Sequence, residues 1–221
     1  MPSLTIENYV KTIYDICLRQ NGKPAATGQL AQALGVLPGT VTSMMKTLSD
    51  SELASYQPYE GVLLTTSGNA LALRVLRRHR LIELFLVKTL NLSWDQVHEE
   101  AENMEHAVSD LLVDRIDSYL GFPAVDPHGD PIPKADGTMS VSEGFLLDAA
   151  FEGACIRVIR VLDQSSEFLK QLTEEGIEIG TVGDVVGANQ QHIQLQLEQE
   201  AVITLTHEMA GRILVNMAEA S

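Results

Sequence analysis

The chain has 221 residues, enough for one large or two small domains, and 45% of them are apolar, so real cores are possible. No apolar run approaches the roughly 20 residues that cross a bilayer, which excludes a helical membrane protein. The formal charge of −15 does not exclude nucleic acid, because it is unevenly spread: residues 1–88 hold nine Lys/Arg against six Asp/Glu, net +3, and residues 89–221 hold six against twenty-four, net −18. The N-terminal stretch is polar and periodic, unlike a signal peptide. Cys17 and Cys155 sit among apolar neighbours and read as small hydrophobes, not disulfide partners. A soluble cytoplasmic protein is expected.

Residues 4–20 place Ile6, Tyr9, Val10, Ile13, Tyr14 and Cys17 at helical spacing, and "NGK" (21–23) ends that helix. A short helix follows, with Thr27 as N-cap, Leu30, Ala31 and Leu34 inside, and Gly35 as its stop. Pro38 suits the first turn of the next helix, whose inner face is Val41, Met44, Met45 and Leu48. That is helix-turn-helix spacing. "LASYQPYEGVLLTTSG" reads as two short strands around a Pro58–Gly61 turn, making the motif a winged helix-turn-helix. Thr66 and Ser67 cap a long helix to about Thr89. A second helical stretch runs from a Ser93 cap to Gly121, with a break near Ala107–Ser109. Its apolar residues Val97, Ala101, Met104, Val108, Leu111, Leu112 and Ile116 suit packing on a neighbour or a second subunit. Residues 121–142 are rich in turn formers and read as a linker. "CIRVIRVLD", "GDVVGAN", "HIQLQLEQE" and "AVITLTHEMAGRILVNM" then read as strands of a small barrel.

The second helical stretch carries the chemistry. At about 100° per residue, His98, Glu102, Glu105 and His106 fall on one face about 100° wide. Glu102 and Glu105 repel at i,i+3 spacing, and a divalent cation reverses the sign of that interaction. Carboxylate oxygens and neutral imidazole nitrogens are ligands that Mn²⁺ and Fe²⁺ accept. The preceding helix adds His79 and Glu83 at i,i+4. The competing reading is a solvated acidic face with incidental histidines; it holds for any single pair better than for both helices together. His192 and His207 lack acidic company and read as ordinary polar positions.

"RRHRLIELFL" (77–86) and "VHEEAENMEHAVSDLLVDRI" (97–116) resemble helices of the iron- and manganese-dependent repressors, the DtxR/MntR family. "IENYVKTIYDI" (6–16), "TVTSMMKTLSDSEL" (40–53) and "LLTTSGNALA" (63–72) resemble its first helix, recognition helix and wing-to-helix junction. "LGFPAVDPHGDPIP" (120–133) resembles the segment before the third domain of its streptococcal-type manganese regulators. The resemblance implies a mainly α chain with small β: a winged helix-turn-helix over residues 1–72, a helical metal-binding and dimerisation domain over 73–140, and an SH3-like (FeoA-like) β-barrel over 141–221.

It also implies two metal sites. Glu102, Glu105 and His106 match the regulatory site, completed from the first helix, where Asn8 stands in place of aspartate or methionine. His79, Glu83 and His98 match the second site; Asp126 and His128 match linker ligands, and Asp163, Gln164 and Glu167 lie where the third domain contributes. Lys11 replaces a glutamate used by one two-metal branch, Asp126 stands where some relatives have cysteine, and position 102 is glutamate, not cysteine. With no thiolate in the set, hard ligands favour Mn²⁺, then Fe²⁺; Zn²⁺ and Cu²⁺ can bind in vitro.

The DNA-facing set is Thr27, Pro38, Gly39, Thr40, Thr42, Ser43, Lys46 and Thr47, mostly short and uncharged. Such a set suggests limited guanine readout and reliance on shape and dimer spacing. Of Arg74, Arg77, Arg78 and Arg80, some are expected in salt bridges. The implied function is a homodimeric, metal-dependent repressor of metal-uptake genes that binds a double-stranded operator, is not an enzyme, and needs neither a membrane nor a small organic substrate. Two other readings compete: a ferritin-like di-metal enzyme, which needs four long helices with Glu-x-x-His pairs, and a winged-helix regulator of an organic ligand.

Overall fold

The computed structural model describes residues 3–140, 143–197 and 202–218. The chain divides into two compact units. The first comprises Met1–His79, Asn103–Ser109 and Pro133–Thr138; the second comprises Arg80–Glu102, Asp110–Ile132 and Met139–Ser221.

In the first unit, α1 (Leu4–Arg19) starts at Ser3, whose hydroxyl accepts the Ile6 N–H, and buries Tyr9, Val10 and Ile13. The next two helices, α2 (Thr27–Leu34) and α3 (Pro38–Asp50), meet through Gly35, which takes the left-handed conformation at φ 64° that ends α2. Thr27 is the first residue of α2, not its cap. Gln29 does the capping work, its side-chain oxygen accepting the Ala26 N–H. Leu30, Val41, Met45 and Leu48 lock these helices onto Val10 and Ile13 in one core. The wing is β1 (Ala54–Gln57) paired antiparallel with β2 (Gly61–Leu64). Its strand β2 also bridges to Ala25, which ties the wing to the loop before α2. The long helix α4 (Thr66–Leu90) is capped by Thr65, whose hydroxyl accepts the Gly68 N–H, one residue earlier than expected.

After α4, Ser93 opens a turn, and the helix starts only at Val97: α5 is Val97–Met104 and α6 is Asp110–Tyr119. The expected break is present and begins earlier, so Glu105 and His106 lie in a turn and not on a continuing helical face. The proline- and glycine-rich stretch after Gly121 is not a bare linker. Val125 bridges to Pro131, and residues 126 and 128–133 are buried.

The β region is a six-stranded antiparallel sheet built from β3 (Phe145–Leu146), β4 (Cys155–Val161), β5 (Val182–Ala188), β6 (His192–Leu197), β7 (Val202–Thr206) and β8 (Ile213–Met217), in the order β3-β8-β4-β5-β6-β7. "AVITLTHEMAGRILVNM" is two strands around a helical turn, α8 (His207–Ala210), which follows α7 (Ser166–Glu174) in the chain order. Helix α7 escaped the sequence reading. Its Phe168, Leu169 and Leu172 fill the core between the strands and Trp94. Residues 198–200 of the expected "HIQLQLEQE" strand, and 141–142 of the expected linker, lie outside the described residues. Among the described residues no helix is long and apolar enough to cross a membrane. Both cysteines are half-buried thiols, and burial raises the pKa of each.

Gly68 marks the tightest junction of the first unit. A Cβ there meets the backbone carbonyl of Leu53, which already accepts the Thr65 N–H. Gly68→Ala is expected to lower stability by about 1–3 kcal/mol through overpacking, read as a drop in the thermal midpoint. An unchanged midpoint contradicts this packing.

Candidate metal centres

The first cluster lies within the first unit. Glu105 is completely buried, and its carboxylate faces Lys11 Nζ at 3.0 and 2.8 Å and His79 Nδ1 at 2.6 Å. Burial pushes the Glu105 pKa up, but His79 and Lys11 outweigh it and hold the group below its ordinary value. Glu7, one residue before Asn8 on α1, accepts from His106 Nδ1 at 2.7 Å and meets Arg78 at 3.5 Å. A carboxylate can only accept, so neutral His106 carries its proton on Nδ1 and a lone pair on Nε2. That Nε2 is 3.2 Å from Glu105 Oε1, in a geometry that makes no hydrogen bond. Asn8 Oδ1 is also buried without a hydrogen-bond partner among the described residues.

The second cluster lies within the second unit and joins Glu83, His98, Asp126 and His128. His98 Nδ1 is 3.3 Å from Glu83 Oε1, and His128 Nδ1 is 3.8 Å from Glu83 Oε2 and 4.0 Å from Asp126 Oδ1. Glu83, Asp126 and His128 are all buried, and one ligand atom from each lies within 4.8 Å of the others. His128 Nε2 donates to the Trp94 carbonyl at 2.8 Å, and the two rings stack at 6.1 Å. Its Nδ1 has no hydrogen-bond partner among the described residues. Burial lowers the His128 pKa, but the Glu83 carboxylate, 3.8 Å from Nδ1, outweighs it and raises the group overall. Asp126 is pushed up to about 7, first by burial and then by Glu83 and Asp130.

Arg80 braces this loop. It reaches Asp126 at 3.7 Å, Asp130 at 3.5 Å and the Pro131 carbonyl at 2.5 Å, and Arg160 also pairs with Asp130. The Asp126 side chain in turn accepts the His128 and Asp130 N–H groups at 2.8 and 3.0 Å. The turn needs Gly129, at φ 84°, where a Cβ meets the backbone of Ile159.

The other expected ligands have these neighbours. His79, expected beside Glu83 and His98, presents Nδ1 to Glu105. Glu102 lies 3.9 Å from His98 Nε2. Asp163 pairs with Arg212 at 2.8 Å, Gln164 donates to Asp130, and Glu167 is exposed in the first turn of α7. Glu7 and the Trp94 carbonyl lie outside the expected ligand sets, and Lys11 enters them only as the residue that replaces a metal-binding glutamate. Glu7 had a faint signal as the acid beside Asn8 in the first turn of α1; a backbone carbonyl leaves none.

On the DNA-facing side, Pro38, Gly39, Thr40, Ser43, Lys46 and Thr47 are exposed, Thr27 and Thr42 are half-buried, and Val41, Met45 and Leu48 point inward. The Thr42 and Thr47 hydroxyls donate to the Pro38 and Ser43 carbonyls. Leu37 and the wing-tip Tyr59, absent from the expected set, are strongly exposed. Arg77, Arg78 and Arg80 are buried, so they brace the protein and do not offer a phosphate-binding face.

Residues 1–62 match the model of the N-terminal DNA-binding domain of iron-dependent repressors, and residues 65–134 match their metal-binding and dimerisation domain. The chain is 36% identical over 118 residues to an uncharacterised helix-turn-helix transcriptional regulator of Methanocaldococcus jannaschii, covering 53% of this chain and 94% of that one. It is 35% identical over 129 residues to the iron-dependent repressor IdeR of Mycobacterium leprae, covering 58% of this chain; the match spans about half, 55%, of that relative's length. It is similar throughout to the solved structure of a manganese-dependent transcriptional repressor in complex with manganese, with a TM-score of 0.83 at 34% identity, covering 96% of this chain and all of that one.

The raised Asp126 pKa makes stability depend on pH. The folded carboxyl holds its proton up to about 7, whereas the unfolded one loses it near the ordinary value of 3.8. Its contribution is therefore fully present below about 4 and is lost as pH rises through about 7. His128, also raised, adds a loss in the same direction. In the presence of chelator, the thermal midpoint of the wild type is expected to fall relative to that of Asp126→Asn between about pH 4 and 7. Parallel pH profiles for the two proteins contradict the assignment.

Proposed function

This chain belongs to the iron- and manganese-dependent repressor family, and from that premise we propose that Mn²⁺, with Fe²⁺ as second choice, is its corepressor and metal-uptake genes its targets. It is a DNA-binding transcriptional regulator and not an enzyme. One observation carries the metal reading. His106 and His128 share one design: one ring nitrogen is pinned by an acceptor, and the other faces buried carboxylates with no hydrogen-bond partner among the described residues. That is how proteins prepare imidazole for a metal.

Asn8, Glu105 and His106 would hold an ion in the first cluster, and the family likeness adds Glu102. Glu83, His98, Asp126 and His128 would hold one in the second, with Asp163, Gln164 and Glu167 as the likeness implies. A bound dication supplies positive charge and coordination positions, nothing redox. Oxygen and imidazole donors without thiolate favour Mn²⁺ and Fe²⁺, and Zn²⁺ can bind in vitro. We assign DNA binding to residues 1–72, metal binding and dimerisation to 73–140, and the SH3-like part to 141–221.

The switch works through α1. Asn8 sits on α1, and Glu105 and His106 sit in the turn after α5, so shared coordination clamps helix to turn. Val10 and Ile13 of the same helix are packed in one core with Val41, Met45 and Leu48 of α3. Clamping α1 therefore restricts the recognition helix. In a homodimer, two such helices must meet successive major grooves ~34 Å apart. The exposed Leu111, Leu112, Tyr119 and Phe122, on α6 and just beyond it, offer an apolar face for that dimer.

The test is binding to DNA from the chain's own upstream region with Mn²⁺, Fe²⁺, Zn²⁺ or chelator. Mn²⁺ is expected to tighten binding by about 5–150-fold. His106→Ala and Glu105→Gln should lose that gain and keep the helical circular dichroism. Equal affinity with and without metal sinks the reading.

A further inference from the structure

A protonated lysine has three donors and no lone pair, so Lys11 cannot ligate a metal in that form. Yet its ammonium sits at the heart of the first cluster. It is 2.8 and 3.0 Å from the two Glu105 oxygens and 3.2 Å from His79 Nδ1. The same Nδ1 is 2.6 Å from Glu105 Oε2. One imidazole nitrogen cannot both accept from Lys11 and donate to Glu105. With the proton on Nδ1, the lysine contact is not a hydrogen bond; without it, two lone pairs crowd each other. The Glu105 carboxylate and His79 Nδ1 thus form a donor set that calls for a cation, and the cation present is covalently attached.

We propose that Lys11 is a tethered cation that holds Glu105 in the metal-free protein and must withdraw before a dication engages that carboxylate. The inference rests on the metal reading above and concerns how it is regulated. The charges support it. Within this set, Glu7 and Glu105 are balanced by Arg78 and Lys11. A dication that engages Glu105 meets the Lys11 ammonium 2.8 and 3.0 Å from the same two oxygens, and like charges at that range repel. Arg78 is pinned on a planar group that is always charged, whereas Lys11 carries its charge on a flexible four-carbon stem. Its side chain is already 11% exposed, so a route to water exists. No bond breaks: the ammonium keeps its proton and moves into solvent as the ion enters. The consequence is a raised response threshold. The ion displaces a resident positive charge from a compact, self-neutralised state, so scarce metal leaves the switch off.

The test is calorimetric titration of Mn²⁺ into the full chain and Lys11→Met, with Glu105→Gln identifying the heat that belongs to the first cluster. Lys11→Met is expected to bind Mn²⁺ there at least about tenfold more tightly, roughly 1.4 kcal/mol. Its metal-free thermal midpoint should fall below that of the wild type, and the gap should narrow at saturating Mn²⁺. Unchanged or weaker Mn²⁺ binding overturns the proposal. Binding by Lys11→Met but not by the wild type supports it while sinking the corepressor reading. Equal binding sinks it and keeps that reading, and no binding by either sinks both. Should Lys11→Met not fold, amine-reactive labelling of wild-type Lys11 decides. Labelling should rise several-fold on Mn²⁺ loading, and unchanged labelling overturns the proposal.

Discussion

A carboxylate taken fully out of water must meet a positive charge. Its desolvation costs several kcal/mol, and removing the partner of such a buried pair typically destabilises a protein by about 3–5 kcal/mol. Glu105, Glu83 and Asp126 are three such groups. The first cluster answers with Lys11 and His79. The second answers with a raised His128, an Asp126 whose pKa is pushed up to about 7, and the Arg80 brace. Both answers suit a metal-free protein, and both leave a histidine nitrogen facing buried carboxylates without a hydrogen bond. A fold that only needed stability would fill these places with packed apolar side chains. Acids kept there at a cost give a dication something to act on.

The two clusters differ in how they wait. In the first, a mobile ammonium holds the place of the ion, so loading exchanges one cation for another. In the second, burial with Glu83 and Asp130 pushes the Asp126 pKa up to about 7, and Arg80 braces the loop. Both clusters offer oxygen and imidazole donors without sulfur.

Much of this was legible in the sequence. The winged helix-turn-helix follows from local signals: Gly35, Pro38 and the alternation around Pro58–Gly61. The choice of Glu105, His106, Glu83 and His98 follows from spacing and from the family likeness. What spacing could not give is the third dimension of the turn after Met104. A helical wheel carries Glu105 and His106 along the α5 face, but the helix stops, and the turn takes them to α1. Glu7 becomes visible as part of the site only once that turn is built, and so does the contact of Lys11 with Glu105. Helix α7 escaped because Phe168, Leu169 and Leu172 form a short apolar run inside a polar stretch, and the tertiary core decides it. Asp126 and His128 were expected in a linker, yet that stretch is buried and braced by Arg80. Its prolines and glycines shape a tight loop and do not loosen the chain.

The central claim is that an ion joins α1 to the turn after α5. A crystal structure of the full chain grown with Mn²⁺, with anomalous diffraction recorded at the manganese edge, tests it most directly. The account predicts a manganese peak bonded to both Asn8 Oδ1 and His106 Nε2, with Lys11 turned away from Glu105. Peaks confined to other places, with Lys11 still on Glu105 and the protein bound to its operator, would contradict it.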